Sequence, residues 1–131
     1  MVTPYDPNNI FAKIIKGAIP AKIIARNEYA IAFYNIQPQA KFHALVIPTG
    51  PYRNFSDFNV NASPKEHHAF WNLTQEVASL LEEHYLEETK DKNLAGFRLI
   101  TNKGPASGQE VEHFHVHILG GEKLASLNTK A

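Results

Sequence analysis

Three histidines occupy alternate positions in the stretch EHFHVHILGG, at residues 112–121. An imidazole titrates near neutral pH and can act as a nucleophile, a proton carrier or a metal ligand. Side chains alternate along a β-strand, so His113, His115 and His117 would share one face, which we expect to be open. The intervening apolar residues, which we expect to pack under a helix, are Phe114, Val116 and Ile118. A strand that is rich in histidine by chance is the structural alternative.

A metal site is one chemical interpretation of this row. Successive histidines would lie about 6.6–6.8 Å apart along the strand, so neighbours could share an ion. The outer pair, about 13 Å apart, could not both bind it on a straight strand. A zinc site would need two of the three and a residue from elsewhere, such as His43 or Glu110, and would leave one histidine without a role. We therefore expect no metal.

A phosphoryl group suits the same geometry better. His115 could attack a phosphorus atom while a flanking imidazole binds the phosphoryl oxygens, and a phosphohistidine would divide one substitution into two easier steps. Repulsion between clustered imidazolium charges would keep the rings neutral near pH 7. The loop TNKGPASGQEV leads into the row, and Gly104 and Gly108 would let its backbone N–H groups face an anion.

Composition limits the classes of protein to consider. The chain has 131 residues, 44% of them hydrophobic and 20% charged, which predicts one globular domain over residues 1–131. Its net charge of zero argues against a nucleic-acid partner bound by neutralisation of phosphates. It has no cysteine and no apolar stretch long enough to cross a membrane. We expect no signal peptide, because MVTPYDPNNIF lacks a basic start and a long apolar run. We expect a cytoplasmic protein without a membrane partner.

The elements that must position these residues follow from periodicity and turn signals. A helix of about two to three turns is predicted from Ile10, ending before Pro20. Two strands flank a turn near Asn27–Glu28, and three more are predicted at 42–50, 96–102 and 113–119. Residues 51–62 are predicted to be irregular.

A long helix is the clearest element. Ser63, Pro64 and Glu66 form a capping-box pattern, and the helix is predicted to run to about residue 86. Its predicted core-facing stripe is Phe70, Leu73, Val77, Leu80 and Leu81. Three further histidines, expected at the surface or in ordinary packing, are His67, His68 and His84. The order of elements predicts an α+β fold with a mainly antiparallel sheet covered by helices on one face.

The motif HFHVHILGG resembles the His-x-His-x-His-x-x signature of the histidine triad (HIT) superfamily. The blocks IFAKIIKGAIPAKII, AFYNIQPQAKFHALVIP and GQEVEHFHVHILGG extend the resemblance over most of the chain, and they are similar to the Hint branch of nucleoside phosphoramidases. The resemblance implies a five-stranded antiparallel sheet with one short N-terminal helix and one long helix, in a homodimer whose sheet has ten strands. It also implies a purine nucleoside 5'-monophosphate conjugate as ligand and catalysis without a cofactor.

The resemblance also implies roles for individual residues. His115 would be the nucleophile that forms a nucleotidyl intermediate, His117 would contact the phosphate, and His113 and His43 would complete the network. Asn102, Gln109 and the backbone at Val111 would bind the phosphate. The other nucleotide-binding residues implied in this loop are Gly108 and Glu110. The implied base-pocket residues, for which ordinary core packing is the alternative, are Ile10, Phe11, Ile14, Phe33, Ile36 and Leu45.

The chain departs from the family pattern at three places. Asn35 stands where the family usually has an aspartate that binds both ribose hydroxyls, and an amide brings no charge to that position. Glu110 stands where many eukaryotic members have a serine, and in this the chain resembles bacterial members. The tail EKLASLNTKA lacks the tryptophan that some members place near the partner's site.

The resemblance therefore implies a hydrolase that cleaves nucleoside 5'-phosphoramidates or aminoacyl adenylates. Two alternatives remain open on the sequence. One is a dinucleoside polyphosphate hydrolase, and the other is a nucleotide- or zinc-binding regulator whose turnover is incidental.

Overall fold

A five-stranded antiparallel sheet organises the computed structural model, which describes residues 4–127. Its strands lie in the order β1-β2-β3-β5-β4. The strands are β1 (Ile23–Arg26), β2 (Ala30–Tyr34), β3 (Phe42–Pro48), β4 (Phe97–Ile100) and β5 (Val116–Gly120). The helices are α1 (Ile10–Ile15), α2 (Phe55–Asn61) and α3 (Pro64–Thr89), with short 3-10 turns at Lys92–Leu94 and Pro105–Ser107. The predicted α+β class and antiparallel sheet are confirmed.

Helix α3 begins where its capping residues place it. The Ser63 hydroxyl accepts a hydrogen bond from the Glu66 N–H, and the Glu66 carboxylate accepts one from the Ser63 N–H. These reciprocal bonds satisfy donors that the first helical turn leaves without partners. The helix continues slightly beyond the predicted end and stops at Lys90, which adopts the left-handed conformation with φ of 61°.

The main core lies between α3 and one face of the sheet. Its helical contribution is Phe70, Leu73, Val77, Ala78 and Leu81. Its contribution from β5 and the residues just before it is Phe114, Val116 and Ile118, as predicted from their alternation with the histidines. Leu80 was predicted to belong to the stripe, but it is 53% exposed. The stripe passes through Leu81, which was also predicted, and its neighbour Leu80 lies on the solvent side of the helix.

Helix α1 packs against the opposite face of the sheet, so the expectation that helices cover one face only is wrong. Phe11 joins a second apolar cluster formed by Ile31, Phe33, Leu45 and Ile47. These residues alternate along β2 and β3 with those that face α3. The helix has six residues, which is shorter than predicted; Asn9 caps its start, and Gly17, with φ of 75°, follows its end. Helices therefore pack against both faces of the sheet, α3 against one and α1 against the other.

Helix α2 occupies a stretch that was predicted to be irregular. The Asn54 side chain accepts a hydrogen bond from the Asp57 N–H and so caps the helix. An asparagine followed three residues later by an aspartate is a recognisable helix start, and this signal was overlooked.

Strand β5 begins later than predicted, at Val116 rather than at residue 113. The register pairs Val46 with Val116, and its continuation would place Phe114 opposite Pro48. Proline has no N–H to donate to a neighbouring strand. The Phe114 N–H instead donates to the Tyr52 carbonyl, 2.7 Å away. Two of the three histidines in the row therefore precede the strand, in an extended segment.

Helices long and apolar enough to cross a membrane are absent from the part of the chain that the structure describes.

Candidate functional site

Four imidazoles converge where β3 and β5 run side by side. His43 on β3 pairs with Leu119, and His117 on β5 pairs with Leu45, so the two histidines are diagonal neighbours on one face. Their ring centroids lie 5.1 Å apart, and the same distance separates the rings of His115 and His117. The strands thus bring His43 to the histidine row from a position more than seventy residues away.

The ring of His115 has a defined proton position. Its Nδ1 atom lies 2.6 Å from the backbone carbonyl oxygen of His113. A carbonyl oxygen only accepts, so the ring must carry its proton on Nδ1, and Nε2 keeps its lone pair. Burial lowers the pKa of His115, which keeps the ring neutral near pH 7. An uncharged imidazole with an unprotonated Nε2 is the form that can act as a nucleophile.

The histidine row was expected on an open face, and this expectation is wrong for two of its members. His113 is fully buried, and His115 is only 7% exposed. The ring of Phe11, from α1, packs edge-on to His115 with centroids 4.9 Å apart. The spacing of the histidines could not predict that Phe11 covers His115, because Phe11 lies near the other end of the chain.

His113 is held at both ring nitrogens. Its Nε2 lies 2.8 Å from the carbonyl oxygen of Pro48, and its Nδ1 lies 2.7 Å from the hydroxyl of Tyr5. Burial lowers the pKa of His113 to about 4, so the ring is neutral at pH 7. It does not line the cleft described below. Repulsion between clustered imidazolium charges was expected to keep the rings neutral. For His113, burial lowers the pKa more than repulsion from His115 does.

His43 and His117 form a directed pair. The Gln39 N–H donates to Nδ1 of His43, 3.0 Å away, so neutral His43 carries its proton on Nε2. That atom lies 2.8 Å from Nδ1 of His117, which must accept. Neutral His117 therefore carries its own proton on Nε2. Burial, followed by repulsion from His115 and His43, lowers the pKa of His117 to about 4.

A cleft of about 340 Å³ opens over these rings. Its lining residues are Phe11, Asn35, Gln37, Gln39, His43, Leu45, Asn102, Gly108, Glu110, Val111, His115 and His117. An apolar pocket of similar size adjoins it and shares Phe11, Asn35, Leu45, Glu110 and Val111 with it. All six residues predicted for the base pocket line this second cavity: Ile10, Phe11, Ile14, Phe33, Ile36 and Leu45. A polar cleft beside an apolar pocket suits a ligand with one charged and one aromatic part.

Asn35 lies where the two cavities meet. Its backbone N–H donates to the His43 carbonyl, which holds it beside β3. Its side-chain oxygen accepts a hydrogen bond of 2.8 Å from the Gln37 N–H. Its amide nitrogen lies 3.4 Å from Nε2 of His43, so two donors face each other there. An aspartate would offer an acceptor to both neighbours.

The side chain of Gln109, which was predicted to bind the phosphate, is committed to bonds within the protein. Its oxygen accepts from the Gly104 N–H at 2.7 Å, and its nitrogen donates to the carbonyls of Arg53 and Val111. It does not line the cleft. These bonds hold the loop in shape, and Gly104 and Gly108 adopt positive φ angles within it. Gln109 therefore orders the loop that presents Gly108, Glu110 and Val111 to the cleft.

Sequence reasoning missed four residues that shape the site. Gln37 and Gln39 line the cleft, and neither was predicted to do so. Thr101 donates its hydroxyl to the His115 carbonyl, 2.7 Å away. Tyr5 reaches His113 across 108 positions of sequence, and no local pattern could have indicated that contact.

The remaining histidines lie outside the site, as predicted. His67 packs against Phe58, His68 contacts the Asn72 side chain and His84 lies 3.5 Å from the Glu88 carboxylate. Within residues 4–127 there is no group of three or more His, Asp or Glu side chains arranged to hold a metal ion.

The model of the HIT domain matches residues 16–124 of this chain. A HIT-like protein of Rickettsia prowazekii is 42% identical over 123 residues, which is 94% of this chain and 95% of that protein. A HIT-like protein of Azospirillum brasilense is 38% identical over 130 residues, or 99% of each chain.

Solved structures show the same fold. A HIT-like protein from Bartonella henselae, described as involved in cell-cycle regulation and as holding an unknown ligand, superposes with a TM-score of 0.76 at 32% identity. The match covers 89% of this chain and 82% of that one. A HIT family hydrolase from Legionella pneumophila gives a TM-score of 0.70 at 31% identity, over 90% of this chain and 96% of that one.

Proposed function

This chain belongs to the HIT domain family, and from that premise we propose that it is a nucleotide hydrolase that cleaves nucleoside 5'-phosphoramidates or aminoacyl adenylates. Solved relatives that are described as HIT family hydrolases support the general class, which is a HIT nucleotide hydrolase or transferase. The phosphoramidate or adenylate substrate is our proposal.

One observation carries the proposal: the His113 carbonyl fixes the proton of His115 on Nδ1. The lone pair of Nε2 then attacks the phosphorus atom of the nucleotide, and the bond from phosphorus to the leaving group breaks. That bond is P–N in a phosphoramidate, whose amine takes up a proton from water as it departs, and P–O in an aminoacyl adenylate, whose amino acid departs as a carboxylate. The nucleotide remains on His115. Water then attacks the phosphorus and gives up a proton to solvent, which releases the nucleoside monophosphate and restores the neutral imidazole. The division into two displacements is the advantage of covalent catalysis.

His117 supplies a proton donor to this chemistry. Its Nε2–H is the donor left over after Nδ1 has accepted from His43, and its ring lines the cleft next to His115. It donates a hydrogen bond to a phosphoryl oxygen or to the leaving group, and His43 holds it in the required tautomer. A donor that is oriented before the reaction stabilises developing charge without reorganisation.

The nucleotide is proposed to span the two cavities. The base enters the apolar pocket beside Phe33 and Ile36, and the phosphate lies in the cleft near Asn102 and the backbone of Gly108 and Val111. The ribose then falls at Asn35, where the cavities meet. This arrangement matches a nucleoside monophosphate, which has an apolar ring at one end and an anion at the other.

No metal is required in the proposed reaction. The nitrogens through which His43 and His113 could bind an ion are occupied by hydrogen bonds to protein groups. The attacking imidazole needs only the protonation state that the His113 carbonyl supplies.

The proposal also includes a homodimer in which two β4 strands pair. Strand β4 forms one edge of the sheet. It presents two exposed apolar side chains, Phe97 at 36% and Leu99 at 44%. An unpaired apolar edge is a template for a further strand. A second copy that adds its own β4 would extend the sheet to ten strands.

A substrate panel tests the function. Initial rates are compared for adenosine and guanosine phosphoramidates, an aminoacyl adenylate and diadenosine polyphosphates, with and without a chelator. We expect phosphoramidates or the adenylate to be turned over fastest and the chelator to have no effect. Faster cleavage of diadenosine polyphosphates would identify a hydrolase of that class instead. Nucleotide binding without turnover of any substrate would identify a regulator, and inhibition by the chelator with recovery on zinc addition would identify a metal site.

A further inference from the structure

We infer that Tyr5 is a positioning residue for the histidine row and that its hydroxyl fastens the N-terminal segment over the site. The Tyr5 hydroxyl oxygen lies 2.7 Å from Nδ1 of His113, and the two rings meet edge to face with centroids 5.7 Å apart. This contact joins the start of the chain to the first histidine of the signature. The effect of the Tyr5 contact on catalysis rests on the proposed function, whereas its effect on the tautomer and position of His113 does not.

The direction of the Tyr5 bond follows from the other side of the ring. The Pro48 carbonyl can only accept, so Nε2 of neutral His113 carries the proton and Nδ1 is the acceptor. The Tyr5 hydroxyl therefore donates. A rotation of the ring by half a turn would break both bonds at once. Because His113 is fully buried, no solvent is available to replace either partner.

His113 passes this restraint to the proposed nucleophile. The His113 backbone supplies the carbonyl that accepts from Nδ1–H of His115 at 2.6 Å. Tyr5 and Pro48 clamp the His113 side chain from two sides, and this limits movement of the residue that holds His115 in its tautomer. The chain of contacts runs from the Tyr5 hydroxyl through His113 to Nε2 of His115.

Tyr5 is also tied to the helix that covers the site. The Asp6 carbonyl accepts from the Asn9 N–H at 3.2 Å and from the Asn9 side chain at 2.8 Å. The Asn9 side chain in turn caps α1 by accepting from the Ala12 N–H. These short-range bonds tie Asp6, the residue that follows Tyr5, to α1, and Phe11 of that helix lies against His115 and lines both cavities. The Tyr5–His113 bond therefore anchors the wall of the nucleotide site.

The first test is spectroscopic and needs no substrate. Nitrogen-15 NMR distinguishes a protonated ring nitrogen from an unprotonated one. In the wild-type protein we expect His113 to be protonated on Nε2 and unprotonated on Nδ1 at pH 7, with Nδ1 shifted by an accepted hydrogen bond. In Tyr5→Phe that shift should be lost while the Nε2 signal stays. The opposite His113 tautomer in the wild-type protein would overturn the inference, even if the variant does not fold.

The second test separates positioning from general stability. Tyr85→Phe is the matched control, because the Tyr85 hydroxyl donates to the Lys41 carbonyl in another part of the fold. For Tyr5→Phe we expect the single-turnover rate of nucleotide transfer to His115 to fall on the order of tenfold, with a smaller change in the affinity for AMP. Tyr85→Phe should keep the wild-type rate. Equal losses in both variants, or an unchanged rate in Tyr5→Phe, would contradict a positioning role.

The two tests fail independently. If no proposed substrate is turned over but the NMR result is as expected, the proposed function is wrong and the contact of Tyr5 with His113 stands. If turnover occurs through His115 and Tyr5→Phe changes neither the rate nor the His113 signals, the inference about Tyr5 is wrong and the function stands.

Discussion

Nε2 of His43 lies 2.8 Å from Nδ1 of His117, and this contact joins β3 to β5 inside the cleft. The Gln39 N–H determines the direction of this hydrogen bond. It donates to Nδ1 of His43, so the proton of the His43 ring is on Nε2 and is donated to His117. A backbone amide thus determines which nitrogen of His117 can donate. Asn35 lies beside the first ring of this pair, with its amide nitrogen 3.4 Å from Nε2 of His43.

Replacing Asn35 with aspartate should provide a charged acceptor for the ribose of the nucleotide. One carboxylate oxygen would keep the bond to the Gln37 N–H, and the other would be available to a ribose hydroxyl. Hydrogen bonds to charged groups are the stronger ones, so we expect Asn35→Asp to bind AMP roughly tenfold more tightly. Calorimetric titration with AMP and with its 2',3'-dideoxy analogue measures the effect. The analogue is the control, since it lacks both hydroxyls. Equal tightening for both ligands, or none for AMP, would show that this position does not contact the ribose.

The stability of the protein should depend on pH through its buried imidazoles. Burial lowers the pKa of His113 and of His117 to about 4, whereas an unfolded chain binds these protons near pH 6.5. Between these values the unfolded state holds more protons, so the free energy of unfolding rises with pH. Stability should be complete above about pH 7 and should fall as the pH decreases from 6.5 towards 4, on the order of 3 kcal/mol for fully buried His113. The partly accessible His117 should contribute less.

Urea unfolding at several pH values between about 7.5 and 5 measures this dependence. His84→Gln is the control, because His84 lies on the exposed side of α3 and its contact with Glu88 is open to solvent. That variant should follow the wild-type profile. A wild-type unfolding midpoint that does not change over this range would mean that the buried rings are not held neutral.

The edge of strand β4 should carry the dimer contact. Leu99→Lys would place a charge on the apolar edge that a second copy is proposed to cover, and lysine is a residue that natural sheet edges use to prevent such pairing. We expect the variant to be a monomer by sedimentation velocity at a concentration where the wild-type protein is a dimer. Val60→Lys is the control, since Val60 is 77% exposed on α2, which is not part of the sheet. Dissociation by both variants, or by neither, would reject β4 as the interface.

The spacing of the histidines and the core residues was sufficient to predict much of this molecule. The capping box placed α3, and the alternation of Phe114, Val116 and Ile118 predicted which side of the strand faces that helix. These features are local in sequence, and their periodicity reports directly on burial.

The rest depends on contacts between distant segments. The cover on His115 comes from Phe11, and the anchor of His113 comes from Tyr5. The late start of β5 depends on Pro48 across the sheet, which the pattern of the histidine row does not contain. The role of Gln109 was also out of reach, because its bonding partners include the Arg53 carbonyl, 56 positions away. Sequence patterns indicated which residues carry the chemistry, but not what holds them in place.

Trapping the covalent intermediate tests the central claim most directly. The protein is mixed with adenosine phosphoramidate, quenched within milliseconds at alkaline pH and digested, and the peptide that carries residues 112–121 is analysed by mass spectrometry. We expect an adenylyl group on His115 in the wild-type protein and none in His115→Gln, which should still bind AMP. An adenylyl group on His113 or His117, or turnover by His115→Gln at the wild-type rate, would contradict the assignment of His115 as the nucleophile.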